Sequence, residues 1–256
     1  MTASNRGADR GDSGGGLDRL DHRLHDRSSL PRLLLLTDRA QLRLGRGLLP
    51  TLAECASAGL THVVLRELDE APEQRARLAS AAVDLGLVVI AAHAPLSGAA
   101  GVQLPGSGRR SEVVSTGSTT GAGSSAVTVV GRSCHSRAEV ARAGEEGFDY
   151  AMLSPYALTE SKPGYGPPLG PDAFRDLPIP TYALGGITPD NAADAVAAGA
   201  HGVAVMGAVM RAEEPAQVVA ALLAATDSAV PDSAVPDSAV PDSAVPDSAV
   251  SGSAGG

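Results

Sequence analysis

The segment Gly131-Arg132-Ser133-Cys134-His135-Ser136 sets a hydroxyl, a thiol and an imidazole side by side. On paper, Cys134 and His135 form a nucleophile and base. Strand alternation separates them. If the chain entering the segment is extended, Val127, Val129, Gly131, Ser133 and His135 share one face and Cys134 faces the other way. Ser133 and His135 are then the catalytic candidates, and Cys134 is expected to pack against a neighbouring element. An imidazole titrates near neutral pH, so His135 is suited to acid–base work; the rival role for it is to cap a helix. His62, His93 and His201 read as structural or exposed, and no spaced set of Cys, His and carboxylates forms a metal pattern.

A second group of residues is suited to phosphate. Gly185 and Gly186 close an apolar run just before the N-cap Thr188, and the candidates Met206 and Gly207 close another. Glycines there let backbone N–H groups approach an oxygen ligand at a helix start. Their competing role is simply to make tight turns. Arg66 ends another apolar run, and a loop carries Thr159, Ser161 and Lys162. Lys162 is the single lysine among 20 basic residues, in a chain whose Ala/Gly/Arg bias favours Arg wherever only charge is needed. It therefore marks a position where a lysine is wanted.

The elements that must carry these residues alternate. Apolar runs at 33–36, 62–65, 87–91, 101–104, 127–130, 150–153, 181–184 and 202–206 are strand-length, and several are β-branched. Helical patterns lie between many of them, over 48–57, 72–85, from the Ser136/Glu139 capping box to Gly147, and from Thr188-Pro189 to Gly199. Repeated helix–Gly–strand units give parallel strands with crossover helices. Eight of them predict a closed α/β structure, a small (β/α)8 TIM barrel with its third and fourth helices reduced. Residues 92–126 are the Ser/Thr/Gly-rich stretch where those helices would lie. In such a barrel the site lies at the C-terminal strand ends, and phosphate binds after strands seven and eight, which is where Gly185, Gly186 and Gly207 fall.

The barrel is expected to span residues 30–226. Residues 1–29 are Gly- and charge-rich without apolar period, and from Asp227 the unit Asp-Ser-Ala-Val-Pro repeats four times before a fifth copy loses its Pro. Both ends read as disordered extensions. The net charge of -9 and 2% aromatic content argue against nucleic acid, which needs basic grooves and stacking rings. With two cysteines and neither an apolar leader nor a membrane-length run, the expectation is a cytoplasmic protein without a membrane role.

The residues 130–136, Asp149-Tyr150, Thr159-Glu160-Ser161-Lys162-Pro163-Gly164, Ala183-Leu184-Gly185-Gly186-Ile187 and Gly202-Val203-Ala204-Val205-Met206 resemble the thiamin phosphate synthase/TenI family. Leu36-Thr37-Asp38-Arg39 and Leu65-Arg66-Glu67 fit as well. The likeness is specific in the second half and looser in the first. It implies a barrel of thiamin biosynthesis that binds thiazole phosphate, a small phosphorylated partner; a homodimer is compatible with it.

Family members divide by chemistry. The synthases join hydroxymethylpyrimidine diphosphate to thiazole phosphate and use Mg²⁺ on aspartates with Arg and Lys. The TenI-like members are thiazole tautomerases, which move a proton and whose Ser-x-His histidine corresponds to His135. Here Val64, Arg66 and Leu68 stand where a synthase has Gln-x-Arg-x-Lys. Ala91-Ala92-His93 replaces Asn-Asp, and Pro105-Gly106-Ser107-Gly108 replaces the segment holding the next Asp. No aspartate lies between Asp84 and Asp149, and Glu112 is the carboxylate near the fourth strand. The resemblance thus implies first a tautomerase using His135 without a cofactor. The second reading is a synthase needing Mg²⁺, and the third a non-catalytic binder of thiazole or thiamin phosphates.

Overall fold

A computed structural model of the chain describes residues 30–116, 129–158 and 167–229. Eight strands follow in chain order: β1 (Leu33–Leu36), β2 (His62–Leu65), β3 (Val88–Ala92), β4 (Gly101–Leu104), β5 (Val129–Cys134), β6 (Tyr150–Leu153), β7 (Thr181–Leu184) and β8 (Gly202–Val205). Each pairs in parallel with the next, and β8 returns to β1 through Leu33–Val203, Leu34–Ala204 and Leu35–Val205, closing the barrel. The α/β barrel expectation holds.

Alternation along the strands makes two cores. Leu34, Leu36, Val64, Ile90, Ala92, Tyr150, Met152 and Tyr182 fill the interior, while Leu33, Leu35, Val63, Leu65, Val89 and Cys134 pack outward against the helices. Tyr150 and Tyr182 meet edge to face with centroids 5.6 Å apart.

The helices are α1 (Leu48–Ser57), α2 (Pro72–Asp84), α3 (Arg110–Thr116), α4 (Arg137–Glu145), α5 (Pro189–Ala197), α6 (Gly207–Met210) and α7 (Pro215–Ser228). Turns alone join β3 to β4, so the third helix is reduced as expected; α3 has seven described residues and runs up to residues outside those described. Several boundaries shift by a single residue, and two elements run on further than the sequence reading. β5 runs on to Cys134, beyond the apolar stretch, because Arg132 is satisfied on the outer face. It pairs with Glu146 at 2.8 Å, donates twice to the Gly106 carbonyl and lies over the Phe148 ring. α7 continues through Asp227 and Ser228, the first two residues of the repeat, since Pro215, Val219, Leu222 and Thr226 form one buried stripe. The remaining repeat copies and residues 1–29 lie outside the described residues.

Candidate active site

The C-terminal strand ends enclose a cavity of about 60 Å³. Its apolar wall is Leu36, Val64, Ala92, Met152 and Leu184, and its polar groups are Arg66, His93, Gln103 and Ser133. All come from inward positions or the residue just beyond a strand. His93 has a left-handed backbone (φ 71°), held by its N–H donating to the Gln103 carbonyl at 2.8 Å. Partial desolvation of the ring at the barrel mouth, then the charges of Arg66 and Arg75, lower its pKa. The sequence reading treated His93 as structural or exposed; it is exposed, and it also edges the cavity.

His135 stands one residue past β5. Its Nδ1 lies 3.1 Å from the Ser154 carbonyl oxygen and 3.2 Å from Ser154 Oγ. The start of α4 fixes its backbone: Ser136 Oγ accepts from Glu139 N–H, and the Glu139 carboxylate accepts from His135 N–H at 2.6 Å. His135 thus lies over the end of β6, beside the cavity, and does not line it; Ser133 does. Cys134 is wholly buried among the helix-facing residues, and burial pushes its thiol up to about 11, so it is no nucleophile.

The phosphate candidates gather at β7 and β8. Gly185 (φ 92°) and Gly186 (φ 67°) need glycine for their backbone. At Gly186 a second reason appears: a side chain would strike the Leu158 carbonyl and the Ala157 backbone. That loop docks through Tyr156 N–H to the Leu184 carbonyl and Ala157 N–H to the Gly185 carbonyl, each at 2.9 Å. Asn191 locks the turn from the far side, donating to the Gly186 carbonyl and accepting from Thr188 N–H.

Across the mouth, two guanidinium groups converge on Met206-Gly207. Arg66 Nη1 lies 3.0 Å from the Met206 sulfur and 3.8 Å from Asp38 Oδ2. Arg211 lies against Gly207 and donates to the Gln41 side chain, which donates on to Asp38. A thioether is a weak acceptor for a guanidinium, so Arg66 has capacity for an anion. Thr159, Ser161 and Lys162 lie outside the described residues. Sequence reasoning missed Gln103, Arg211, Gln41 and Asn191. Gln103 and Arg211 left a trace: one is a polar residue at an inward position of an apolar strand, and the other lies one helical turn after Gly207.

The family model described as thiamine monophosphate synthase matches residues 33–209, the whole barrel from β1 into α6. The chain belongs to the thiamine monophosphate synthase family. A putative thiamine-phosphate synthase of Geobacter sulfurreducens is 34% identical over 212 residues, 75% of this chain and 92% of that protein. The thiamine-phosphate synthase of Salinibacter ruber is 40% identical over 106 residues, 40% of this chain and 47% of that one. Among solved structures, thiamine phosphate pyrophosphorylase from Pyrococcus furiosus superposes with a TM-score of 0.63 at 20% identity, covering 78% of this chain and 96% of that one, a likeness of fold.

Membership places the barrel in an enzyme family of thiamin biosynthesis and raises the question of Mg²⁺. Among the described residues no three His, Cys, Asp or Glu side chains are grouped so that they could hold a metal ion, and the carboxylates near the mouth are taken up by other partners. Asp38 accepts from Gln41 and faces Arg66, while Glu67, Asp69 and Glu70 all surround Arg39. Glu112 accepts from the Arg109 N–H at the start of its own helix. No helix among the described residues is long and apolar enough to cross a membrane.

Proposed function

We propose that this barrel binds thiazole phosphate and catalyses its tautomerisation, with His135 as the acid–base group. The observation that carries the reading is the contact between His135 Nδ1 and the Ser154 carbonyl. In this reading the ring proton is on Nδ1, where the Ser154 carbonyl accepts it, and Nε2 is the nitrogen that takes the proton. A base beside a cavity with an apolar wall suits removal of a proton from carbon and its return at another atom. The phosphate of the ligand would be received by the N–H groups around Gly185 and Gly186, and by Gly207 with Arg66 and Arg211. Thr159, Ser161 and Lys162 of the following loop would complete the set.

A second reading, synthesis of thiamin phosphate from hydroxymethylpyrimidine diphosphate and thiazole phosphate, is favoured by Arg66 on the cavity wall and by the names of the relatives. Product analysis by mass spectrometry decides, with each substrate set and with and without Mg²⁺. Proton exchange into the thiazole from D₂O without metal supports the tautomerase. Mg²⁺-dependent thiamin phosphate overturns it for the synthase. Binding without turnover overturns both and makes the barrel a non-catalytic thiazole or thiamin phosphate binder.

A further inference from the structure

Gln103 is 5% exposed, inside the barrel on β4, in register with Gly131 on β5, which is in register with Tyr150 on β6. Gly131 leaves the space that the other two fill: a side chain there would overlap both the Tyr150 ring and the Gln103 amide oxygen. An amide in this layer is a burden on stability. Gln103 Oε1 and the Tyr150 hydroxyl are both buried without a hydrogen-bond partner among the described residues, and an unmet buried polar group disfavours the folded state. Packing alone would be better served by an apolar side chain of the same length.

The amide does something else. Its Nε2 donates to Ser133 Oγ at 3.1 Å, with a longer approach to the Leu104 carbonyl at 3.4 Å. An NH₂ group donates and cannot accept, so Ser133 Oγ is the acceptor in this pair and its own hydrogen must point elsewhere. Gln103 and Ser133 both line the cavity.

We propose that Gln103 is a positioning residue that fixes Ser133 as a hydrogen-bond donor into the cavity, where it meets an acceptor on the ligand, a heteroaromatic ring nitrogen. The apolar part of the wall, Leu36, Val64, Ala92, Met152 and Leu184, suits the face of a flat ring, and Arg66 lies at the same cavity for the phosphate that ring carries. The inference rests on the reading that the ring is that of thiazole phosphate.

The test compares thiazole phosphate with its thiophene analogue, in which C–H replaces the ring nitrogen, by calorimetry on the full chain. The wild type should prefer the thiazole by ~10-fold or more, the scale of one hydrogen bond left unmade. Gln103→Glu keeps the shape and reverses the polarity, because a carboxylate accepts the Ser133 hydrogen; the preference should vanish. Ser133→Ala should also abolish it, and adding Gln103→Glu to Ser133→Ala should change nothing further. Additive losses in that pair overturn the coupling. Melting of Gln103→Met is the second arm. Its melting temperature should equal or exceed that of the wild type while ring discrimination is lost. A fall of several degrees makes the amide structural and overturns the inference whatever the ligand. A wild type that binds neither compound instead overturns the functional reading.

Discussion

Arg211 lays its guanidinium against Gly207, one helical turn away, so the first residue of α6 and a cation share one corner of the barrel mouth. Arg66 reaches the same turn from β2 through the Met206 sulfur. Arg211→Gln should weaken thiazole phosphate binding by ~10-fold, the size of one charge-assisted hydrogen bond. Gly207→Ala should act in the same direction, because the new methyl meets only the far end of Arg211 and displaces it. Calorimetric affinities equal to wild type in both variants would place the phosphate elsewhere. Gly186→Val is a poorer probe, since its side chain collides with the Ala157–Leu158 backbone whether or not phosphate binds.

His135→Asn retains a hydrogen-bonding side chain but cannot shuttle a proton. The kcat for tautomerisation should fall by ~10²- to 10⁴-fold while thiazole phosphate affinity changes little. A parallel loss of affinity would make His135 a binding or structural residue. Unchanged turnover would pass the role to His93, which edges the cavity itself.

Turnover should survive EDTA. Among the described residues, the carboxylates nearest the mouth are engaged by Arg39, by Gln41 and Arg66, or by a helix N-terminus. A rate that collapses with chelator and returns with Mg²⁺ would contradict this.

Acid should destabilise the barrel partly through His62. Burial holds its pKa down to about 4, whereas an unfolded histidine titrates near ~6.5. Between these values the unfolded chain binds the proton and the folded one does not. The contribution of His62 is therefore fully present above the unfolded pKa and is lost as pH falls through about 4. His201, also lowered by burial, acts with the same sign. Urea midpoints of wild type and His62→Gln, measured at neutral and mildly acidic pH, should diverge less in the variant; equal slopes would remove His62 from the account.

Removal of residues 230–256 should leave the melting temperature nearly unchanged, because the last buried stripe of α7 ends at Thr226 and the helix at Ser228. Scanning calorimetry checks this, and a large drop would mean that the segment docks on the barrel.

The sequence by itself determined the barrel, because the residues that define it act locally. Short apolar runs, Pro-led helix starts and the glycines Gly59, Gly86, Gly147 and Gly199 after four of the helices mark strand and helix ends without reference to distant chain. Strand parity likewise sent Cys134 outward and Ser133 inward, since a period of two needs only neighbours. The continuation of β5 was hidden because Arg132 is made tolerable by Glu146, Gly106 and Phe148, which belong to other elements. The candidate glycines and His135 stood out in the sequence because their types announce their chemistry, and the structure places them at the C-terminal strand ends. Gln103 and Arg211 left only a trace in the sequence, because each gains meaning from a partner on another element: Ser133 for one, Gln41 for the other. Pairing of β4 with β5 brings Gln103 to Ser133, and closure of β8 on β1 brings Arg211 to Gln41, so the direction of a hydroxyl hydrogen and the place of a cation were decided by tertiary structure.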